Sequence, residues 1–154
     1  MIEGEYVLKV AIGSDHRGFR LKAHLVELLQ GKGHEALDLG CEGADSVDYP
    51  DYAFPVAEKV ATGEVERGIL VCATGIGMSI AANKVKGVRA ALCRTVADAE
   101  MTRRHNDSNV LTLSGDNAEY PVVDDIVRVW LETPFEGERH QRRLNKIITY
   151  EKHS

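Results

Sequence analysis

The chain has 154 residues, 44% of them apolar and 28% charged. That is the length of one domain, able to build a single good core and too apolar for a disordered chain. A net charge of −5 gives no reason to expect nucleic acid as a partner, and no stretch approaches the roughly 18 apolar residues of a membrane span.

The opening residues Met1-Ile2-Glu3-Gly4-Glu5 lack the basic start and apolar run of a secretory signal. Three cysteines, Cys41, Cys72 and Cys93, are odd in number and sparse, which does not fit a disulfide framework. The expected setting is cytoplasmic and reducing, with free thiols. With no repeat, linker or low-complexity stretch, residues 1–154 are expected to form one domain.

Apolar runs alternate with amphipathic stretches along the chain. Residues 10–12 read as a buried strand ending near Ser14-Asp15-His16, and residues 22–30 as a helix with Leu21, Leu25, Leu28 and Leu29 on one face and Gly31 and Gly33 as stop signals. A short strand at 35–39 and a helix at 50–60 come after it. Residues 68–72, Gly-Ile-Leu-Val-Cys, are continuously apolar, as in a strand covered on both faces. Helix 78–84, strand 88–93, a helix at 95–105 opened by a Thr95 cap, and strand 109–113 come next. A helix at 121–131 has Pro near its first turn, and a polar helix spans 138–150. The alternation predicts an α/β fold: a Rossmann-like three-layer sandwich with a mostly parallel five-stranded sheet and helices on both faces. Ligands bind such sheets outside the carboxyl ends of the strands.

Four groups of residues at such ends, or on helices, carry candidate chemistry. In Cys72-Ala73-Thr74-Gly75-Ile76-Gly77 the glycines permit close backbone approach and the amides at the helix start suit an anion. The pattern is neither a dinucleotide fingerprint nor a P-loop. Cys72 beside those amides suits a base or nucleophile, whereas Cys93 reads as core and Cys41 as incidental. Asp15-His16 suits either sugar oxygens and phosphate or a helix cap. His105-Asn106 ends a helix, where histidine can move protons near neutral pH. Arg139 and Arg143, four apart, share a helix face that suits either phosphate or solvent. No zinc spacing is present, so no metal is expected.

Five motifs in order make the resemblance specific. They are Gly13-Ser14-Asp15-His16-Arg17-Gly18-Phe19, Val47-Asp48-Tyr49-Pro50-Asp51-Tyr52-Ala53, the segment from Cys72 to Lys84, Arg104-His105-Asn106-Asp107-Ser108-Asn109-Val110, and Gly137-Glu138-Arg139-His140-Gln141-Arg142-Arg143. From about residue 9 to 148 the chain resembles the ribose-5-phosphate isomerase B family, which includes galactose-6-phosphate isomerase.

The resemblance implies a cofactor-free and metal-free aldose–ketose isomerase working through an enediolate on a small sugar phosphate, with ribose 5-phosphate and ribulose 5-phosphate as the default pair. It implies Cys72 as the base, Thr74 as the group handling the hydroxyl proton, and the amides of Ala73, Gly75, Ile76 and Gly77 as stabilisers of the enediolate. It implies His105 as the acid/base that opens the sugar ring and Asn106 as a substrate ligand, both reaching across an interface in a homodimer or a dimer of dimers. Asp15 would hold sugar oxygens, Tyr49 would line the pocket, and His16, Arg139 and Arg143 would clamp phosphate, with the C-terminal helix serving both phosphate site and dimer.

Two positions depart from the family. Ala73 stands where glycine is usual, at little cost unless positive φ is needed. Asp116 stands where an arginine often binds phosphate. At 6 Å and an effective dielectric of 20, that repulsion is roughly 3 kcal/mol. Asp116 therefore points away, or is compensated by Arg17 or Arg94, or the substrate is another sugar: a tetrose or hexose phosphate, or an unphosphorylated or uronate sugar. A non-catalytic sugar-phosphate binding module is the remaining alternative.

Overall fold

A computed structural model describes residues 7–154; the acidic opening at residues 1–5, unlike a secretory signal, lies outside the described residues. The described elements are β1 (Lys9–Ser14), α1 (Phe19–Gly31), β2 (Glu35–Asp38), α2 (Pro50–Ala61), β3 (Arg67–Cys72), α3 (Ile76–Ala82), β4 (Ala90–Leu92), α4 (Val96–Asn106), β5 (Val110–Ser114), α5 (Tyr120–Glu132) and α6 (Arg139–Lys152).

Local chemistry sets several boundaries. Thr95 accepts the Asp98 N–H at 3.0 Å and caps α4, as expected. Helix α3 begins at Ile76, two residues earlier than the apolar pattern predicts, because Gly75 takes a left-handed φ of 79° and turns the chain directly from loop to helix. Strand β4 has only three residues. Its first residue pairs with Val110 of β5 and is held on its other side by a side chain: the Asn83 amide donates to Ala90 O (3.0 Å) and accepts from Ala90 N (2.8 Å). That two-point bond blunts the edge of the sheet.

The five strands form one sheet in the order β2-β1-β3-β5-β4, every described pair parallel. Alternate residues face opposite sides, as the pleat requires. Val10, Ile12, Ile69, Val71, Leu111 and Leu113 pack under α1, α4 and α5. Ala11, Leu70, Cys72 and Val110 face α2 and α3. The sandwich therefore has three layers with a core on each side of the sheet. On the first side Trp130 is fully buried; its Nε1–H donates to Ser108 Oγ at 2.9 Å, and the Arg67 guanidinium lies 5.0 Å from its ring centroid.

The chain leaves β1 toward one edge of the sheet, by way of β2, and re-enters at β3 on the other side of β1. This reversal opens a crevice at the carboxyl ends of β1 and β3. Asp15 and His16 follow β1 there, and Ala73 and Thr74 follow β3.

At the opposite, amino edge, the turn from α1 into β2 is tied to β1 by the Leu8 N–H, which donates to His34 Nδ1 at 3.1 Å. Burial and the nearby Lys32 hold the His34 pKa below its ordinary 6.5. The unfolded chain then binds the proton more readily, so stability present above about 6.5 is lost as pH falls below it. Urea midpoints measured on either side of that pH are expected to show the loss. In His34→Asn, which keeps an acceptor for Leu8, the drop is smaller.

Candidate active site

Cys72 ends β3 with its side chain buried toward α2 and α3. The Gly75 N–H donates to its Sγ at 3.1 Å. This bond orients the sulfur and strengthens when the sulfur is negatively charged. Two residues further along, Thr74 Oγ1 accepts from Ile76 N at 3.2 Å. Two of the amides expected to serve an enediolate, those of Gly75 and Ile76, are thus directed at the side chains of Cys72 and Thr74. Ala73 does not have positive φ, and Gly75 takes the left-handed turn of this loop. Alanine at position 73 is therefore free of backbone strain, and the departure from the family pattern costs nothing here.

The glycines of the site are close-approach positions. A Cβ on Gly77 would lie 2.7 Å from the Tyr49 ring, so Tyr49 covers the start of α3. A Cβ on Gly18 would lie 2.4 Å from Val71 O, and one on Gly115 2.8 Å from Arg17 O. The loops after β1 and β5 thereby press against the end of β3. Gly115 N–H donates to Cys72 O at 2.8 Å and Asp116 N–H to Ala73 O at 3.1 Å. Ser114 Oγ donates to Ala73 O at 2.7 Å. Sequence reasoning did not assign Ser114 a role, and its position at a strand end was the only signal for it.

Asp15 is both cap and candidate ligand. Its Oδ1 accepts the N–H groups of Arg17 (2.9 Å) and Gly18 (3.0 Å), which fixes the entry to α1, and the residue is 6% exposed. His16 Nδ1 accepts from Val47 N at 3.2 Å, which leaves the proton of the neutral ring on Nε2 as a donor. Cys41 is buried near Ser14, its thiol donating to Gly43 O at 3.4 Å. It is part of the support under β1 and not incidental. Cys93 is core, as expected. Burial, with Asp98 adding to it, pushes its thiol up to about 12.

Asp116 forms an ion pair with Arg17, one of the two residues expected to compensate it. The carboxylate at the family's arginine position is neutralised from the neighbouring loop. The other candidate, Arg94, is spread with Thr74, Ser114, Asp116, Glu119 and Val122 around a cavity of about 510 Å³ between the loop after β3 and α5.

His105 and Asn106 lie elsewhere. They close α4, which runs back from the carboxyl edge to the amino edge of the sheet. Arg89, just before β4, donates through Nε to Asn106 O at 3.1 Å and to Asp107 O at 3.1 Å. Arg139 and Arg143 stand exposed on the first turns of α6. That end of α6 is joined to α4 by His140, whose ring stacks on His105 with centroids 4.2 Å apart. Glu136 lies by both rings, and its N–H donates to Arg104 O at 3.1 Å. The arginines therefore group with His105 and not with His16. Within one chain the candidate residues form two groups at opposite edges of a parallel sheet. Glu136 and His140 were missed as members of the second, because four-residue spacing alone does not reveal the third partner.

Residues 10–147 match the profile of the family described as Ribose/Galactose Isomerase. The chain is 53% identical over 146 residues to a Bacillus subtilis protein described only as a sugar phosphate isomerase, covering 94% of this chain and 97% of that one. It is 45% identical over 143 residues to ribose-5-phosphate isomerase B of Escherichia coli, covering 93% and 96%. The structure of ribose-5-phosphate isomerase B from Clostridium thermocellum superposes with a TM-score of 0.92 at 48% identity, covering 94% of this chain and 98% of that chain. The enzyme of that name from Mycoplasma genitalium, solved with bound ribulose 5-phosphate, gives 0.91 at 44% identity, covering 95% and 97%.

Gly18→Ala is expected to force the Asp15 loop off β3 and lower stability by about 1–3 kcal/mol. Gly31→Ala, where a Cβ meets nothing within 4 Å, is expected to be neutral or slightly stabilising. Urea denaturation of the two variants checks the contrast.

Proposed function

Because the chain belongs to the ribose/galactose isomerase family, and is therefore an isomerase, we propose that it interconverts ribose 5-phosphate and ribulose 5-phosphate through an enediolate, with side chains carrying every proton. The observation that supports this best is the Cys72 sulfur, held by the Gly75 N–H at the crevice between β1 and β3.

The Cys72 thiolate takes the proton from C2 of the open-chain aldose, and the electron pair of that C–H bond forms the enediolate. The thiol returns the proton to C1 to give the ketose. Thr74 Oγ1, at the same loop, passes the hydroxyl proton between O1 and O2. Amides of the loop from Ala73 to Gly77 face the developing negative charge, those of Gly75 and Ile76 by releasing their present partners; such donors are typically worth roughly 3–4 kcal/mol each. Asp15, already anchored through Oδ1, holds sugar hydroxyls, and Tyr49 closes the pocket wall.

His105 donates a proton to the ring oxygen to open the furanose, and Asn106 binds substrate beside it. Both come from a second copy of the chain, as do Arg139 and Arg143, which meet the phosphate opposite His16. Two features support a homodimer. Placement of His105 at the amino edge keeps it from Cys72 of its own chain. Ile76 and Ile80, one turn apart on α3, are 45% and 57% exposed beside the site, where a partner would cover them. Free Cys41, Cys72 and Cys93 suit a cytoplasmic setting, and the reaction is one of pentose phosphate metabolism. Among the described residues no helix is long and apolar enough to cross a membrane.

A different sugar was suggested by Asp116. Its pairing with Arg17 removes the repulsion on which that reading stood, and a panel of tetrose, pentose and hexose phosphates decides the matter directly. Ribose 5-phosphate is expected to be the preferred substrate, with turnover unchanged by EDTA. Cys72→Ser is expected to lower kcat by about 10²–10⁴-fold, the usual scale of general acid–base catalysis. Retained activity in that variant would remove Cys72 as the base. Mixing inactive Cys72→Ser and His105→Asn chains, with unfolding and refolding to exchange subunits, is expected to restore part of the activity, because a mixed dimer holds one intact site. A site built within one chain regains nothing.

A further inference from the structure

His105, Glu136 and His140 come together where the first turn of α6 lies against the last turn of α4. Their ligand atoms all lie within 4.8 Å of one another. Glu136 Oε1 is 3.7 Å from His105 Nε2 and 3.5 Å from His140 Nε2. His140 is 4% exposed, yet its Nε2 has no hydrogen-bond partner among the described residues. A buried polar atom without a partner is destabilising unless something fills the gap.

We propose that His105, Glu136 and His140 form a binding site for a divalent transition metal of the zinc class, and that the bound ion withdraws His105 from proton transfer. In a tetrahedral site with metal–ligand distances near 2.0–2.1 Å, neighbouring ligand atoms stand roughly 3.3 Å apart. The two carboxylate spacings, 3.5 and 3.7 Å, are near that value, and the imidazoles, stacked 14° from parallel, must unstack to turn both Nε2 lone pairs toward one ion. Two imidazoles and one carboxylate are the donors that favour zinc over magnesium or calcium. His105 and Glu136 are each about 40% exposed in their side chains, which leaves an entry path and a fourth position open to water. Arg139 and Arg143 flank the cluster and oppose a cation. They limit the affinity, and a resident cofactor is not implied.

The site itself rests only on the three side chains. The inhibitory effect rests also on the ring-opening role of His105, and the two can fail separately. The probe is cobalt(II), titrated into EDTA-dialysed Cys72→Ser protein so that the site thiol cannot compete, with zinc as competitor. The expected result is one cobalt per chain with the strong visible bands of four- or five-coordination, no thiolate charge-transfer band, and displacement by zinc. Glu136→Gln, which preserves shape, and His140→Ala are each expected to weaken binding at least as much as loss of an outer-shell partner does, about 10–100-fold. Glu136→Gln keeps the test valid if His140→Ala fails to fold. Bands unchanged in Glu136→Gln, a thiolate signature, or only the weak spectrum of hydrated cobalt would overturn the site. With Cys72 intact, zinc is expected to slow turnover of ribose 5-phosphate and EDTA to restore it. Full turnover with the site occupied would leave the metal site standing and overturn the withdrawal of His105.

Discussion

A wholly parallel sheet imposes one constraint on which most of this structure depends. Each strand must be left at its carboxyl edge and re-entered at its amino edge, so every connection needs a helix to carry it back. The loops that begin those helices gather at one edge, and the residues that end them gather at the other. Asp15, Cys72, Thr74 and Asp116 belong to the first set. His105, Asn106, Glu136 and His140 belong to the second, with Arg139 and Arg143 beside them. The site proposed above, with its base in one set and its ring-opening acid in the other, would draw on two chains.

At the carboxyl edge the working loops are held by backbone contact. Gly18 sits against Val71 O, Gly115 against Arg17 O, and Gly77 against Tyr49, each too close for a side chain. Bonds from Gly115 and Asp116 to the carbonyls of Cys72 and Ala73 complete the arrangement. The sulfur of Cys72 is thus positioned by a frame with little rotamer freedom, as the proton transfers proposed for it require. The same packing brings Arg17 onto Asp116, and that pair supplies the charge balance.

At the amino edge the balance is less complete. His140 is enclosed between Arg139, His105 and Glu136. Burial, with Arg139 and His105 adding to it, lowers its pKa. Its Nε2 has no hydrogen-bond partner among the described residues. The ring stacks on His105 while its polar edge stays open.

The alternation of elements, the strand ends and the five ordered motifs are local properties, and the sequence carried them to within three residues. Continuous apolar runs such as residues 68–72 suit strands covered on both faces, and Thr95 can cap only the helix on its carboxyl side. The same locality explains where reading stopped. Asp116 read as a repulsive charge because its partner lies 99 positions away and is brought to it only by the packing of Gly115 on Arg17. Cys41 read as incidental because burial is a property of the assembled loops. His16 and the two arginines read as one phosphate clamp, but which chain supplies each member depends on the direction of α4 and α6 across the sheet. Sequence by itself determined the fold class, the chemistry available and the candidate base. Tertiary structure decided which charges meet and which groups share an edge, because those depend on distances between segments that local patterning does not encode.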